Sequence, residues 1–234
     1  ASLVGFVPQD LDWSRPLHKI EPAAPIPDRW ARRHKPWPGS MTWRYLHGER
    51  VLPDAVIRTA IRHDALREGP RGSMWAAHRD FGGRITGWEE RGPDWRGFST
   101  GGAKVLFQLG PVQAQRLCVT EAAIDAMSLA ALENERADSL YLSTGGGWSP
   151  ATDAAIRTLA ARDGALLVAA TDNNLQGDRY ADRLKDVSME TGCGCVRLRP
   201  RLVDWNAELK AGWRVKKKEG GETRLPHARR PRQG

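Results

Sequence analysis

Two acidic loops, about fifty residues apart, hold the side chains with the clearest chemical potential. The first, LCVTEAAIDAMSLAAL, contains Glu121 and Asp125; the second, LLVAATDNNLQGDRYADRL, contains Asp172. In each, an apolar run stops at a carboxylate and gives way to helical spacing. Short continuous apolar runs read as buried parallel strands. Open α/β sheets bind ligands at the carboxyl ends of such strands. Carboxylates delivered there from neighbouring strands suit a hard divalent cation, since magnesium takes oxygen ligands at about 2.1 Å and keeps several waters. Such an ion bridges phosphate oxygens, so phosphoryl transfer is the chemistry in view. Asp125 follows Glu121 by four residues and falls on the same helical face, so three acids are expected to meet in one crevice. A plainer role is open to each. Glu121 and Asp125 also favour a helix N-terminus electrostatically, and Asp172 suits an N-cap. Two acidic strand ends with a glycine-rich turn between them weigh toward the site.

The elements that must position these acids read as alternating strand and helix from about residue 115. Leu117 to Thr120 is a predicted strand, followed by a helix with Ile124, Met127, Ser128, Ala131 and Leu132 on one stripe. Leu140 to Ser143 is the next strand, ending in Gly145-Gly146-Gly147. Ser149 and Pro150 open a helix that Gly164 stops. Ala165 to Ala170 is the third strand, and its helix carries Tyr180, Leu184 and Val187. Val196 and Leu198 mark a fourth strand, and Asp204 caps a last short helix. This alternation implies a parallel sheet covered on both faces. Upstream, Trp43 to Leu46 reads as a short helix and Pro53 opens a second. SMWAAHRD and RITGWEER then flank the turn Asp80-Phe81-Gly82-Gly83 as a hairpin. Residues 41–114 thus form a small α+β unit, and residues 115–213 an α/β unit. Residues 1–40 hold seven of the fifteen prolines and read as an extended, partly docked arm. Its rings Trp13, Trp30 and Trp37 are expected to anchor it by packing, with base stacking the alternative. Residues 214–234 read as a basic, disordered tail that adds salt-sensitive nucleic-acid affinity.

At 234 residues and 40% hydrophobic content, the chain can build one large core or two small ones. The net charge of +8 suits a polyanionic partner, although the last stretch alone supplies much of the excess. Cys118, Cys193 and Cys195 give neither a disulfide framework nor a zinc pattern, which fits a reducing, cytoplasmic setting. No apolar run approaches the roughly 20 residues of a membrane span, so no membrane partner is expected. No signal peptide is visible. The chain begins at Ala1 without methionine and reads as a fragment of something longer.

TEAAIDAMSLAAL resembles the glutamate motif of the Toprim domain, the fold shared by topoisomerases and bacterial primases. TDNNLQGDRYADRL resembles its Asp-x-Asp motif, with Gly177 at the following glycine, and STGGG (143–147) the glycine turn between them. Asp80, Gly83, Ile85, Gly87 and Arg91, with Gly101, Gly102 and Lys104 after them, resemble the smaller lobe that precedes Toprim in bacterial primases. Asp204-Trp205-Asn206 is similar to the end of plasmid- and phage-associated members. The resemblance implies an α/β Toprim lobe preceded by a small α+β primase-like lobe, with a basic crevice between. It implies metal-dependent nucleotidyl transfer on single-stranded DNA in plasmid or phage replication or mobilisation, using nucleoside triphosphates. Mg²⁺ or Mn²⁺ would be the cofactor, with helicase or relaxase modules, not seen in this chain, as partners. Glu121, Asp172 and Asp125 would be catalytic, with Glu121, Asp172 and Asn174 around the metal. Arg79, Arg91 and Lys104 would meet nucleotide or nucleic acid, surface charge being their plainer role. The chain departs from the pattern at Asn174, neutral where the family has its second aspartate, and at Ala122, where a glycine is usual. Losing one unit charge beside a divalent ion costs several kcal/mol at ~4 Å and an effective dielectric near 20, before desolvation. Two alternatives therefore stand beside the transferase: a Toprim nucleic-acid-binding module without strong catalysis, and a Toprim nuclease.

Overall fold

The structure, a computed structural model, describes residues 24–221, with side chains through residue 214. Trp13 and the ends of both expected terminal segments lie outside the described residues.

Nine strands share one sheet. Its parallel part is β6 (Arg116–Thr120), β7 (Ser139–Ser143), β8 (Leu166–Ala169) and β9 (Gly194–Arg197), in the order β7-β6-β8-β9. The pairings run Thr120↔Ser143 on one side of β6 and Val119↔Ala169 on the other. Side chains alternate across these strands as the pleat demands. Leu117, Val119, Leu140, Leu142, Leu167 and Ala169 pack beneath α5 (Pro150–Ala160) and α6 (Leu175–Thr191). Cys118, Tyr141 and Val168 face the opposite side, with α4 (Ala123–Leu132) and the start of α7 (Trp205–Gly221). Both faces are buried, so the near-continuous apolar runs of the sequence follow from the architecture. Ser149 caps α5, its Oγ accepting the Thr152 N–H at 3.0 Å.

The smaller unit extends the same sheet. A hairpin of β2 (Met74–Arg79) and β3 (Ile85–Arg91), with β1 (Leu66–Glu68) and β4 (Arg96–Phe98) beside it, joins through β5 (Leu106–Leu109). β5 runs antiparallel to β7. The two expected units therefore share backbone hydrogen bonds across one continuous sheet. Two short helical elements, α2 (Met41–Arg44) with a π-helical turn after it (Tyr45–Glu49) and α3 (Asp54–Arg62), cover its inner face.

Two segments differ from expectation. Within 1–40, residues Ile26–Ala31 form α1, because Pro25 and Pro27 pre-set the dihedrals of a first helical turn. Trp30 is 2% exposed there and packs on Trp88, whereas Trp37 is 53% exposed. At the other end α7 is not short. It runs 17 residues to Gly221, into the stretch read as tail, and Leu209 packs against the core that starts it. Among the described residues no helix is long and apolar enough to cross a membrane.

The root of α7 is pinned to the end of β8. Trp205 is buried, and its indole Nε1–H donates to the Ala170 carbonyl at 2.7 Å. Trp205→Phe keeps the ring and strands that carbonyl. Leaving a buried acceptor unpaired costs about 1–3 kcal/mol. Urea unfolding should show a loss of that size with an unchanged m-value; an unchanged midpoint would mean that water replaces the bond.

Candidate active site

Strands β6, β7 and β8 end together, two of them followed by a carboxylate and one by a glycine turn. Glu121 follows β6 and Asp172 follows β8, and β6 and β8 are neighbours. The backbone N–H of Asp172 donates to Glu121 Oε1 at 3.3 Å. The third strand end, after β7, turns through Gly145 and Gly146, both at positive φ. The Gly146 N–H donates to the Glu121 carbonyl at 2.7 Å, so the glycine turn fixes the main chain of the acid beside it. The Asp172 loop is tied from behind. The Arg197 guanidinium donates to the carbonyls of Ala169 (2.7 Å), Thr171 (2.9 Å) and Asp172 (3.0 Å). Gly177, in the first turn of α6, packs so closely on this loop that a Cβ there would sit 2.1 Å from the Asp172 oxygen. Only glycine permits that approach.

The acids open on a cleft of about 310 Å³. Glu121, Asp125, Asp172 and Asp204 line it together with Arg50, Arg91 and Arg96. Asp172 Oδ1 is buried without a hydrogen-bond partner. Burial, then the negative charges of Glu121 and Asp204, push its carboxyl up to about 7. Burial likewise raises Glu121, against the opposing Asp172 N–H and Arg197. Asp125 is raised well above the carboxylate range, by burial first and then by Asp204 and Asp172. Its Oδ1 accepts the Asn206 N–H at 3.1 Å, and the Asn206 side chain donates to the Arg50 carbonyl and to Ser128 Oγ. Asp125 thus belongs to a buried network behind the cleft as well as to its lining.

The structure brings together some of the residues expected to act and separates others. Glu121, Asp125, Asp172 and Arg91 share the cleft. Asn174 does not line it. It is the N-cap of α6, with its Oδ1 accepting the Gly177 N–H at 2.8 Å, so its one metal-competent atom is engaged by the helix end. Lys104 sits beside the glycine turn, its ammonium 3.3 Å from where a Gly147 Cβ would lie and 5.5 Å from the Phe98 ring centre. Arg79 is held elsewhere, donating to the carbonyls of Gly83 and Asp64. Among the described residues no three His, Cys, Asp or Glu side chains form a group able to hold a metal ion. Glu121, Asp125 and Asp172 share the cleft without forming such a group. Asp125 is engaged by the Asn206 N–H, which leaves Glu121 and Asp172, the latter with an orphaned buried oxygen, as the pair at the strand ends. That donor set fits magnesium or manganese, which retain water and take substrate oxygens for the rest of the shell.

Sequence reading missed Arg50, Arg96 and the cleft-lining position of Asp204. Asp204 was legible as a helix cap, and it is one: the Ala207 N–H donates to its Oδ1 at 2.6 Å. Arg50 is brought in by a feature with no sequence signal, a π-helical turn followed by Val51 at φ 59°, a costly conformation for a β-branched residue.

Two family models match the chain. One is described as a protein of unknown function (DUF3991) and matches residues 44–115; the other is described as Toprim-like and matches residues 118–209. No curated protein matches. Among solved structures, the DnaG catalytic core is 16% identical with a TM-score of 0.50, covering 78% of this chain and 74% of that one. The primase fragment of the bacteriophage T7 primase-helicase protein is 20% identical with a TM-score of 0.46, covering 70% and 68%. The RNA polymerase domain of Mycobacterium tuberculosis primase DnaG is 15% identical with a TM-score of 0.46, covering 78% and 75%. At 16% identity the DnaG core shares the fold.

The raised Asp172 sets a sign for pH dependence. A carboxyl whose folded pKa lies above its unfolded value contributes stability that is complete below about pH 4 and lost as pH rises through about 7. In the absence of divalent cation, the native chain should lose more stability between pH 5 and pH 8 than Asp172→Asn. Denaturant unfolding of both at several pH values measures this; parallel profiles would show that Asp172 ionises normally.

Proposed function

We propose, from a Toprim-like domain over residues 118–209 set in a fold like that of the DnaG catalytic core, that the chain is a primase-like nucleotidyltransferase. In this reading it depends on Mg²⁺ or Mn²⁺ and joins nucleoside triphosphates on a single-stranded DNA template in plasmid or phage replication or mobilisation. The observation that carries the reading is the junction of Glu121 and Asp172 at adjacent strand ends, one hydrogen bond apart, with the Asp172 Oδ1 unpartnered. Two like charges crowded in a partly buried cleft are costly alone and stabilised by a divalent cation. Such a cation, when bound, offsets charge on the transferring phosphate.

The chain's own residues supply the rest. Asp172 is the principal ligand. Glu121 serves as a second ligand or as the base that takes the proton of the attacking hydroxyl. Its raised affinity for a proton, from burial, favours the second role near neutral pH. Asp125 keeps the Asn206 amide and α7 in register behind the acids. Arg91, Arg50 and Arg96 line the same cleft as the acids and are suited to phosphate oxygens. Lys104, beside the glycine turn, lies along the approach to them. Arg79, bonded to Gly83 and Asp64, is left to contact nucleic acid outside the cleft.

A second reading is favoured by Asn174, which caps a helix where the family's second aspartate is expected. Here the chain is a Toprim nucleic-acid-binding module of a mobilisation or replication complex. Titrating Mn²⁺ into native protein and Asn174→Asp separates the two. Heat of binding only in the variant would favour the module.

The transferase reading predicts that labelled ribonucleotides are joined on single-stranded template by the native chain with magnesium or manganese. Asp172→Ala should reduce that signal about a hundredfold or more, the scale of losing a pre-organised electrostatic contact to the transition state. Equal signal from both proteins would remove Asp172 from the chemistry.

A further inference from the structure

Glu89 is a buried carboxylate without a part in the scheme above. It lies on β3, is 2% exposed, and shares its pleat face with Gly87 and Arg91, while Trp88 and Glu90 point to the other side. Burying a carboxylate is costly unless each oxygen is satisfied by strong donors. Both Glu89 oxygens are. Oε2 accepts the Ala123 backbone N–H at 2.9 Å, and Oε1 accepts the Arg91 Nε–H at 2.6 Å. Ala123 is the first residue of α4, a helix whose own N-cap residue, Ala122, offers no capping side chain. A residue 34 positions upstream therefore caps the helix that follows Glu121, where the helix dipole also favours a negative charge.

The same side chain sets the attitude of Arg91. With Nε committed to Glu89, the terminal nitrogens of the guanidinium have no partner among the described residues, and Arg91 lines the cleft together with the acids. A planar guanidinium fixed at Nε presents its far edge as a fork for two oxygens. We infer that Glu89 is a positioning residue that aims Arg91 at a diphosphate or triphosphate group bound in this cleft, and holds it at a fixed distance from the Glu121 loop through Ala123. The inference rests on the reading of the cleft as a nucleotide site, and it is tested apart from polymerisation.

Inorganic pyrophosphate with magnesium is titrated into the full chain, Glu89→Gln, Arg91→Gln and the double variant. Glutamine retains a carbonyl for the Ala123 N–H, so its melting temperature should stay near native. Pyrophosphate affinity should fall about tenfold in each single variant, the scale of one mis-set charge-assisted contact. The double variant should lose no more than Arg91→Gln alone, because Glu89 acts through Arg91. In the native chain the Arg91 Nε–H should be slow to exchange by NMR, a readout that does not need the variants to fold. Native affinity in Glu89→Gln, multiplied losses in the double variant, a fast-exchanging Nε–H, or no pyrophosphate binding by native protein would each overturn the inference. Pyrophosphate binding without primer synthesis on the same sample would instead overturn the transferase reading and leave Glu89 standing.

Discussion

Glu121 and Asp172 are like-charged groups held within one hydrogen bond of each other where solvent cannot fully screen them. Left to themselves they would separate or neutralise. The surrounding structure holds them there by fixing main chain rather than side chain. The Asp172 amide points at the Glu121 carboxylate, the Gly146 amide holds the Glu121 carbonyl, and Arg197 gathers the carbonyls of the Asp172 loop. Each contact is modest. Together they leave the pair little room to relax, and burial, reinforced by the neighbouring charges of Glu121 and Asp204, pushes the Asp172 carboxyl upward.

Much of the remaining architecture serves that constraint. Parallel pairing of β6 with β8 sets the strand ends side by side, and helices bury both faces so that the ends are firm. Helix α7 closes the back. Trp205 reaches the end of β8, and Asn206 bridges Asp125 to the Arg50 carbonyl. Residues from opposite ends of the chain thus meet behind the acids.

The arginines of the cleft belong to the smaller unit, whose strands continue the sheet through β5 and β7. Shared backbone hydrogen bonds make the arginines of β3 and β4 part of the same body as the carboxylates. Glu89 strengthens that link with one buried carboxylate bonded to both. A cleft lined by both carboxylates and arginines that belong to one continuous sheet keeps its charges in fixed places.

The sequence by itself determined the α/β alternation, the strand ends at Thr120, Ser143 and Ala169 to within a residue or so, and the placing of Glu121 and Asp172 just beyond two of those ends. Apolar runs closed by carboxylates are local patterns, and a buried parallel strand leaves no other way to write them. It also determined the Ser149 cap and the Asp204 cap, because capping joins residues three positions apart. Tertiary structure alone decided the rest. Helix α1 and the length of α7 depend on packing that no periodicity announces. The basic lining needed Arg50 to be turned inward by a π-helical bend, and Glu89 to find a helix 34 residues away. Asn174, in a metal-ligand position by pattern, is used by the end of its own helix. Which atoms a polar side chain satisfies depends on what three-dimensional packing leaves within about 3 Å of it, and linear order does not carry that distance.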